Sequence, residues 1–199
     1  MKEETLEQAA ERLLNLEGNA KGEVLRTFLR IVEEKEGKEG LEKLKKKLRE
    51  LGVKQDLDNV KSFQWTKEGV NALAVVTGKE LFGWTEEEVF EIGRSTPKIS
   101  FVIKVLVKYL VSIETLFKNS DTYWKKHYDF GSFEPVEFNK EKQKVVLREK
   151  DYKTHPLVCI HHAGYFKGLA EFVLGENVTI EETECVHEGA EYNEYVIRW

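Results

Sequence analysis

Apolar positions in the first half of the chain recur at helical spacing. Leu6, Ala9, Ala10, Leu13 and Leu14 share one face of a helix over residues 3–16, which Gly18 and Asn19 stop. Val24, Leu25, Phe28, Leu29 and Val32 repeat the pattern over 21–36. The segment "EGKEG" breaks it, and Leu41, Leu44 and Leu48 begin another helix that ends at Gly52. Thr66 is read as the N-cap of a helix to Val76, ended by Gly78. Thr85 and Glu88 form a capping-box pair for the next helix, which Gly93 is expected to end. Pro97 is then expected to start a long apolar helix reaching Phe117.

After residue 131 the period changes. "SFEPVEFN" and "QKVVLREKD" read as two strands around the turn "NKEK". "PLVCIHHAGYFKGLAEFVLG" reads as a helix, and "NVTIEETECV" and "EYNEYVIRW" as a second strand pair. Helices followed by β-β-α-β-β predict an α+β fold, a helical half packed on a small antiparallel sheet. The expected layout is one ligand-binding domain over 1–199. It comprises a helical arm (1–17), a helical part (18–128) and a ββαββ part (129–199).

Composition narrows the function. The 199 residues carry 41% apolar side chains and a net charge of −5, which fits a globular protein. That acidity argues against binding nucleic acid or an anionic membrane. The run "ISFVIKVLVKYLVSI" is too short to span a bilayer and holds Lys104 and Lys108, so it predicts a buried helix and no membrane insertion. The opening "MKEETLEQAAERLL" is charged and amphipathic, unlike a secretory signal, which predicts a cytoplasmic protein. The Lys43, Lys45, Lys46, Lys47 run reads as a solvated helix face.

Nothing in the chain forms a nucleophile elbow, a phosphate loop or a recognisable catalytic pair, so no enzyme activity is expected. The two cysteines, Cys159 and Cys185, form no disulfide framework. Cys159 and His162 would share a helix face; Cys185 and His187 would share a strand face. With Glu182 they offer a donor set that zinc accepts, or else the cysteines are buried apolar residues. The metal reading meets a geometric condition. Glu182 and Cys185 face opposite ways on a regular strand, so a bulge or an early strand end is needed between them.

Gly164, Tyr165 and Gly168 ("G-Y-x-x-G"), then Glu182, Cys185 and Gly189 ("E-x-x-C-x-x-x-G"), then an aromatic-rich last strand, resemble the 4-vinyl-reductase-type domain. That domain is also described as a predicted hydrocarbon-binding domain, and the resemblance extends from about residue 18. It implies the fold shared by H-NOX domains and the small subunits of the TRAPP complex. It also implies a sensory module for an apolar or aromatic ligand, with a signalling partner encoded elsewhere. Phe101, Val105, Tyr109, Tyr165 and Leu169 are the expected pocket residues.

In phenol-sensing members of this family a helix cysteine and Glu-x2-Cys-x7-Cys hold zinc. Cys159, Glu182 and Cys185 stand at three of those positions, while Asn193 stands at the fourth. His187 or His162 is then the expected replacement, unless water completes the site; the expected metal set is Cys159, Glu182, Cys185 and His187. Haem held in the H-NOX manner is not expected, because "SIETLFKNS" has no histidine and the Tyr-x-Ser-x-Arg pattern is missing. The TRAPP likeness implies a homodimer, and an assembly module without a dedicated ligand is the alternative function.

Overall fold

The computed structural model describes residues 4–100 and 112–199. The expected pocket residues Phe101, Val105 and Tyr109 lie outside them.

The described elements begin with α1 (Leu6–Leu14), β1 (Asn19–Lys21) and α2 (Gly22–Glu50). β2 (Trp65–Lys67), α3 (Glu68–Phe82) and α4 (Glu86–Ile99) follow. Next come α5 (Ile113–Lys118), α6 (Ser120–His127), β3 (Ser132–Asn139) and β4 (Lys144–Lys150). The chain closes with α7 (Pro156–Leu174), β5 (Thr179–Glu184) and β6 (Tyr192–Arg198). The last four strands form one antiparallel sheet in the order β3-β4-β6-β5. The architecture is the expected α+β, and β-β-α-β-β is its C-terminal order.

Helix boundaries follow local chemistry. The Thr85–Glu88 capping box is present, with the Glu88 amide donating to the Thr85 hydroxyl at 3.1 Å. Gly37, at φ 74°, kinks α2 where the sequence predicted a break, yet helix continues on both sides. Three boundaries differ from expectation. Thr66 is not an N-cap: it lies in β2, which pairs with β1, and its hydroxyl donates to the Ala20 carbonyl at 3.2 Å. Gly93 and Pro97 neither end nor begin a helix, since α4 runs through both to Ile99. The expected continuous helix from 97 to 117 is interrupted, because Ser100 ends α4 in an extended conformation and Ser112 caps α5.

The expected arm is part of the core. Ala9, Ala10 and Leu13 of α1 are buried, and Arg12 donates to the Thr154 carbonyl at 2.6 Å. The helical part meets the sheet part again where Asp129 accepts from both the backbone and the side-chain amide of Asn19.

α4 and α7 touch backbone to backbone. A Cβ on Gly164 would lie 2.0 Å from the Phe90 carbonyl oxygen, and one on Gly168 would lie 2.2 Å from that of Arg94. On the other side, a Cβ on Gly93 would lie 2.0 Å from the His161 carbonyl oxygen. Glycine at these positions is thus a packing requirement. Arg94 locks the contact, its Nε donating at 2.8 Å to the Glu171 carboxylate. The "G-Y-x-x-G" motif therefore builds a helix–helix contact and carries Tyr165 on it.

Gly164→Ala is expected to destabilise the protein by about 1–3 kcal/mol or more, since backbone has to move to admit one methyl. Urea denaturation of variant and wild type measures this.

Candidate functional site

Two sites lie on the face of the sheet that α7 covers. The period-2 geometry of β4 sends Val145, Leu147 and Glu149 to that face, and β6 sends Asn193, Tyr195 and Ile197. Across the β4–β6 ladder these six are direct partners: Val145 with Ile197, Leu147 with Tyr195, Glu149 with Asn193. The first two pairs are apolar or aromatic. The third is polar and fully buried, and it marks where the two sites meet.

The first site is a cavity of about 190 Å³. α2 gives it Val24, Thr27 and Phe28; α3 gives Glu68, Asn71, Ala72 and Val75. α5 and α6 add Leu116, Phe117 and Trp124, with Tyr128 just beyond. The sheet closes it with Phe133, Val145, Leu147 and Ile197. α7 lines it with Val158, His161, His162, Tyr165 and Leu169. Tyr165 and Leu169 are thus where the sequence placed them. Trp124 stacks between Tyr128 and Phe133, at centroid distances of 4.2 and 5.6 Å, and makes this wall rigid.

The cavity wall is apolar except for a few held groups. Glu68 is buried and accepts from the Tyr152 hydroxyl and from Asn71 Nδ2, the latter at 2.6 Å. Burial raises its carboxyl pKa against the lowering effect of those two donors. Burial also lifts the Tyr165 phenol to about 12. His161 is held neutral, its pKa pushed down to about 3 by burial and then by neighbouring His162. His161 Nε2 and Asn71 Oδ1 have no hydrogen-bond partner.

His162 behaves oppositely. Burial alone would lower its pKa, but the Glu149 charge and hydrogen bond outweigh burial and raise it. Its Nδ1 lies 2.8 Å from Glu149 Oε1. Glu149 Oε2 accepts from Asn193 Nδ2 at 2.7 Å, and Asn193 Oδ1 accepts from the Val186 amide at 2.9 Å. A chain of buried hydrogen bonds therefore runs from the cavity wall to the turn after β5.

The second site is on that turn. Donor atoms of Cys159, Glu182 and Cys185 all lie within 4.8 Å of one another. The geometric condition is met twice: β5 ends at Glu184, and its ladder has a register shift between Glu182 and Glu184. Burial comes first in raising the pKa of all three groups, and their mutual charges add to it for both thiols. Such a set favours its neutral forms until a cation arrives, when thiols ionise readily. The donors fit zinc, which takes thiolate sulfur and carboxylate oxygen. Glu182 Oε1 is buried without a hydrogen-bond partner, which is the state of a ligand atom awaiting an ion.

His187 is not in this set. Burial lowers its pKa, and the charges next in effect are those of Lys153 and Arg12, so its ring faces away from the cysteines. His162 is committed to Glu149, and Asn193 to Glu149 and Val186.

The sequence reading missed Glu68, Asn71, Trp124, His161, Glu149 and Tyr195 as site residues. Glu149 and Tyr195 had a signal: each continues the apolar alternation of its strand.

Residues 139–199 match the family model of the vinyl-4-reductase domain. That span holds Cys159, Glu182 and Cys185. Among solved structures, an H-NOX protein from S. oneidensis in the Fe(II)NO state matches with a TM-score of 0.67 at 15% identity, covering 89% of this chain and 98% of that one. An oxygen-binding H-NOX domain related to soluble guanylate cyclases matches at 0.66 and 12%, covering 89% and 94%. An unliganded Fe(II) H-NOX mutant protein from K. algicida matches at 0.62 and 16%, covering 89% and 95%. At these identities the likeness is one of fold. No curated protein matches the chain.

The two low-pKa histidines fix an acid response. His155 caps α7 by accepting from the Leu157 amide, and burial with Arg12 nearby lowers its pKa to about 4. His155 and His161 fold neutral and protonate near 6.5 when unfolded. Their stabilisation is complete above pH 6.5 and is lost as pH falls toward 4 and 3. His162 contributes the reverse, stability present below 6.5 and lost as pH rises. His161→Phe is expected to flatten the acid loss by about 1.4 kcal/mol per pH unit between about pH 6 and 4, read from urea denaturation.

Proposed function

We propose that this protein is a small-molecule sensory domain. The reading draws on the vinyl-4-reductase match over residues 139–199 and on the H-NOX-like fold. The domain holds an apolar or aromatic ligand in the cavity between α2, α3, α7 and the sheet. The observation that carries the reading is the cavity wall of Phe28, Val75, Leu116, Trp124, Phe133 and Leu169, enclosing about 190 Å³. A cavity of about 150 Å³ lined by such side chains stays dry and admits benzene. A one- or two-ring aromatic therefore suits this one. The reading is one of binding, and no catalytic role is assigned.

Zinc belongs to the same proposal. Cys159, Glu182 and Cys185 would hold it where α7 meets the last strand pair. There it would fasten the β5–β6 connection to the helix that lines the cavity. Haem is not part of it: its two propionates would meet a wall bearing Glu23 and Glu68, and His162 is already bound to Glu149. No helix among the described residues is long and apolar enough to cross a membrane. The reading places the protein in the cytoplasm and leaves its signal to a partner, which a homodimer contact would supply.

Saturating naphthalene is expected to raise the melting temperature by about 5–10 °C, the effect of roughly 2.7 kcal/mol at a hundredfold excess over Kd. Leu169→Trp, which fills the cavity, is expected to abolish the shift. Differential scanning fluorimetry reads both. Equal melting temperatures with naphthalene, toluene and solvent alone would contradict a ligand cavity, and a melting temperature that follows protein concentration instead would favour the assembly module.

A further inference from the structure

We propose that the Tyr195 hydroxyl is the fourth donor of the Cys159–Glu182–Cys185 set, so that the ion is held by two sulfurs and two oxygens. This rests on the metal reading above. It names a residue that the family pattern of cysteines does not supply.

The ladder places Tyr195 there. Glu182 and Tyr195 are direct partners across β5 and β6, so their side chains leave the same face. Asn193 lies two residues before Tyr195 on that strand and shares the face. Asn193 occupies the fourth thiolate position of the resemblance, yet both ends of its amide are engaged, with Val186 and Glu149. The next inward side chain on β6 is Tyr195.

The hydroxyl itself asks for a partner. Tyr195 has 0% exposure, and its Oη makes no hydrogen bond. A buried phenol nearly always finds a partner, because leaving it without one costs about 1–3 kcal/mol. Glu182 Oε1, on the residue directly opposite, is orphaned as well. Two oxygens on paired residues, both buried and not bonded to each other, leave room that one cation satisfies. Burial acts most on the phenol, and the charges next in effect are those of Glu149, Cys159, Glu182 and Cys185, in that order. Both Glu149 oxygens are already taken, so the metal set is what remains. Phe166 holds the ring in place edge-on at a centroid distance of 5.0 Å.

On binding, the two thiols lose their protons to water as metal–sulfur bonds form, and the Tyr195 oxygen and Glu182 carboxylate donate lone pairs. No electrons are transferred. Zinc is the ion this mixture suits best.

The test compares wild type and Tyr195→Phe, which keeps the ring and removes only the oxygen. Zinc affinity is measured by competition with a chelator, and apo stability by urea denaturation. The expected result is at least tenfold weaker zinc binding in Tyr195→Phe, with apo stability equal or higher because an orphaned hydroxyl is gone. In the wild type, adding zinc is expected to shift a tyrosine absorption band, and the variant is expected to lack that shift. Equal zinc affinity in both proteins overturns the Tyr195 assignment and leaves the metal site standing. A wild type that binds no zinc overturns both.

Discussion

A carboxylate with no exposure to water organises the C-terminal half of this molecule. Glu149 sits in the middle of the sheet face, and each of its oxygens has one partner, His162 on α7 and Asn193 on β6. A buried charge is costly unless paired and hydrogen-bonded. Here the pairing fixes three things at once: the rotation of α7, the pairing of β4 with β6, and, through Asn193, the turn at Val186. The cavity lies on one side of this group, with His162 in its wall. The Cys159–Glu182–Cys185 cluster lies on the other, one residue from Val186. Anything that moves His162 acts on a network that also holds the metal turn.

The helical side of the cavity is set by a different constraint. Glycines on α4 and α7 allow their backbones to touch, and Arg94 clasps Glu171 across the contact. α7 is therefore fixed against α4 on one side and against Glu149 on the other. Its remaining face, with Val158, His161, Tyr165 and Leu169, fronts the cavity. A ligand there would meet a surface whose position is determined by contacts it does not itself make.

Much of this was legible in the sequence, and the reasons for the rest are physical. Period-3.6 and period-2 patterns gave the elements because one face of each is buried. Cys159, Glu182 and Cys185 were read as a set, and the strand end before Cys185 that the set required is present. Local signals misled where tertiary contacts override them. Gly93 looked like a helix stop and is instead a close-approach point against α7. Thr66 looked like a cap and pairs in a three-residue strand whose partner lies 46 residues away, beyond any local pattern. Carboxylates were assigned to solvated faces, which hides Glu68 and Glu149. Their burial is stable only because of Tyr152, Asn71, His162 and Asn193, partners drawn from elsewhere in the chain. His187 was placed by strand alternation, but the strand has ended before it and its ring turns away.

The most direct measurement of this account is the stability of Glu149→Gln and of Asn193→Ala, alone and together, by chemical denaturation. If Glu149 ties helix to sheet, Glu149→Gln costs about 3–5 kcal/mol, the loss expected on breaking a buried pair from one side. The double variant then costs clearly less than the two single losses added, because both act on one network. A Glu149→Gln protein as stable as wild type, or strictly additive losses, would contradict it.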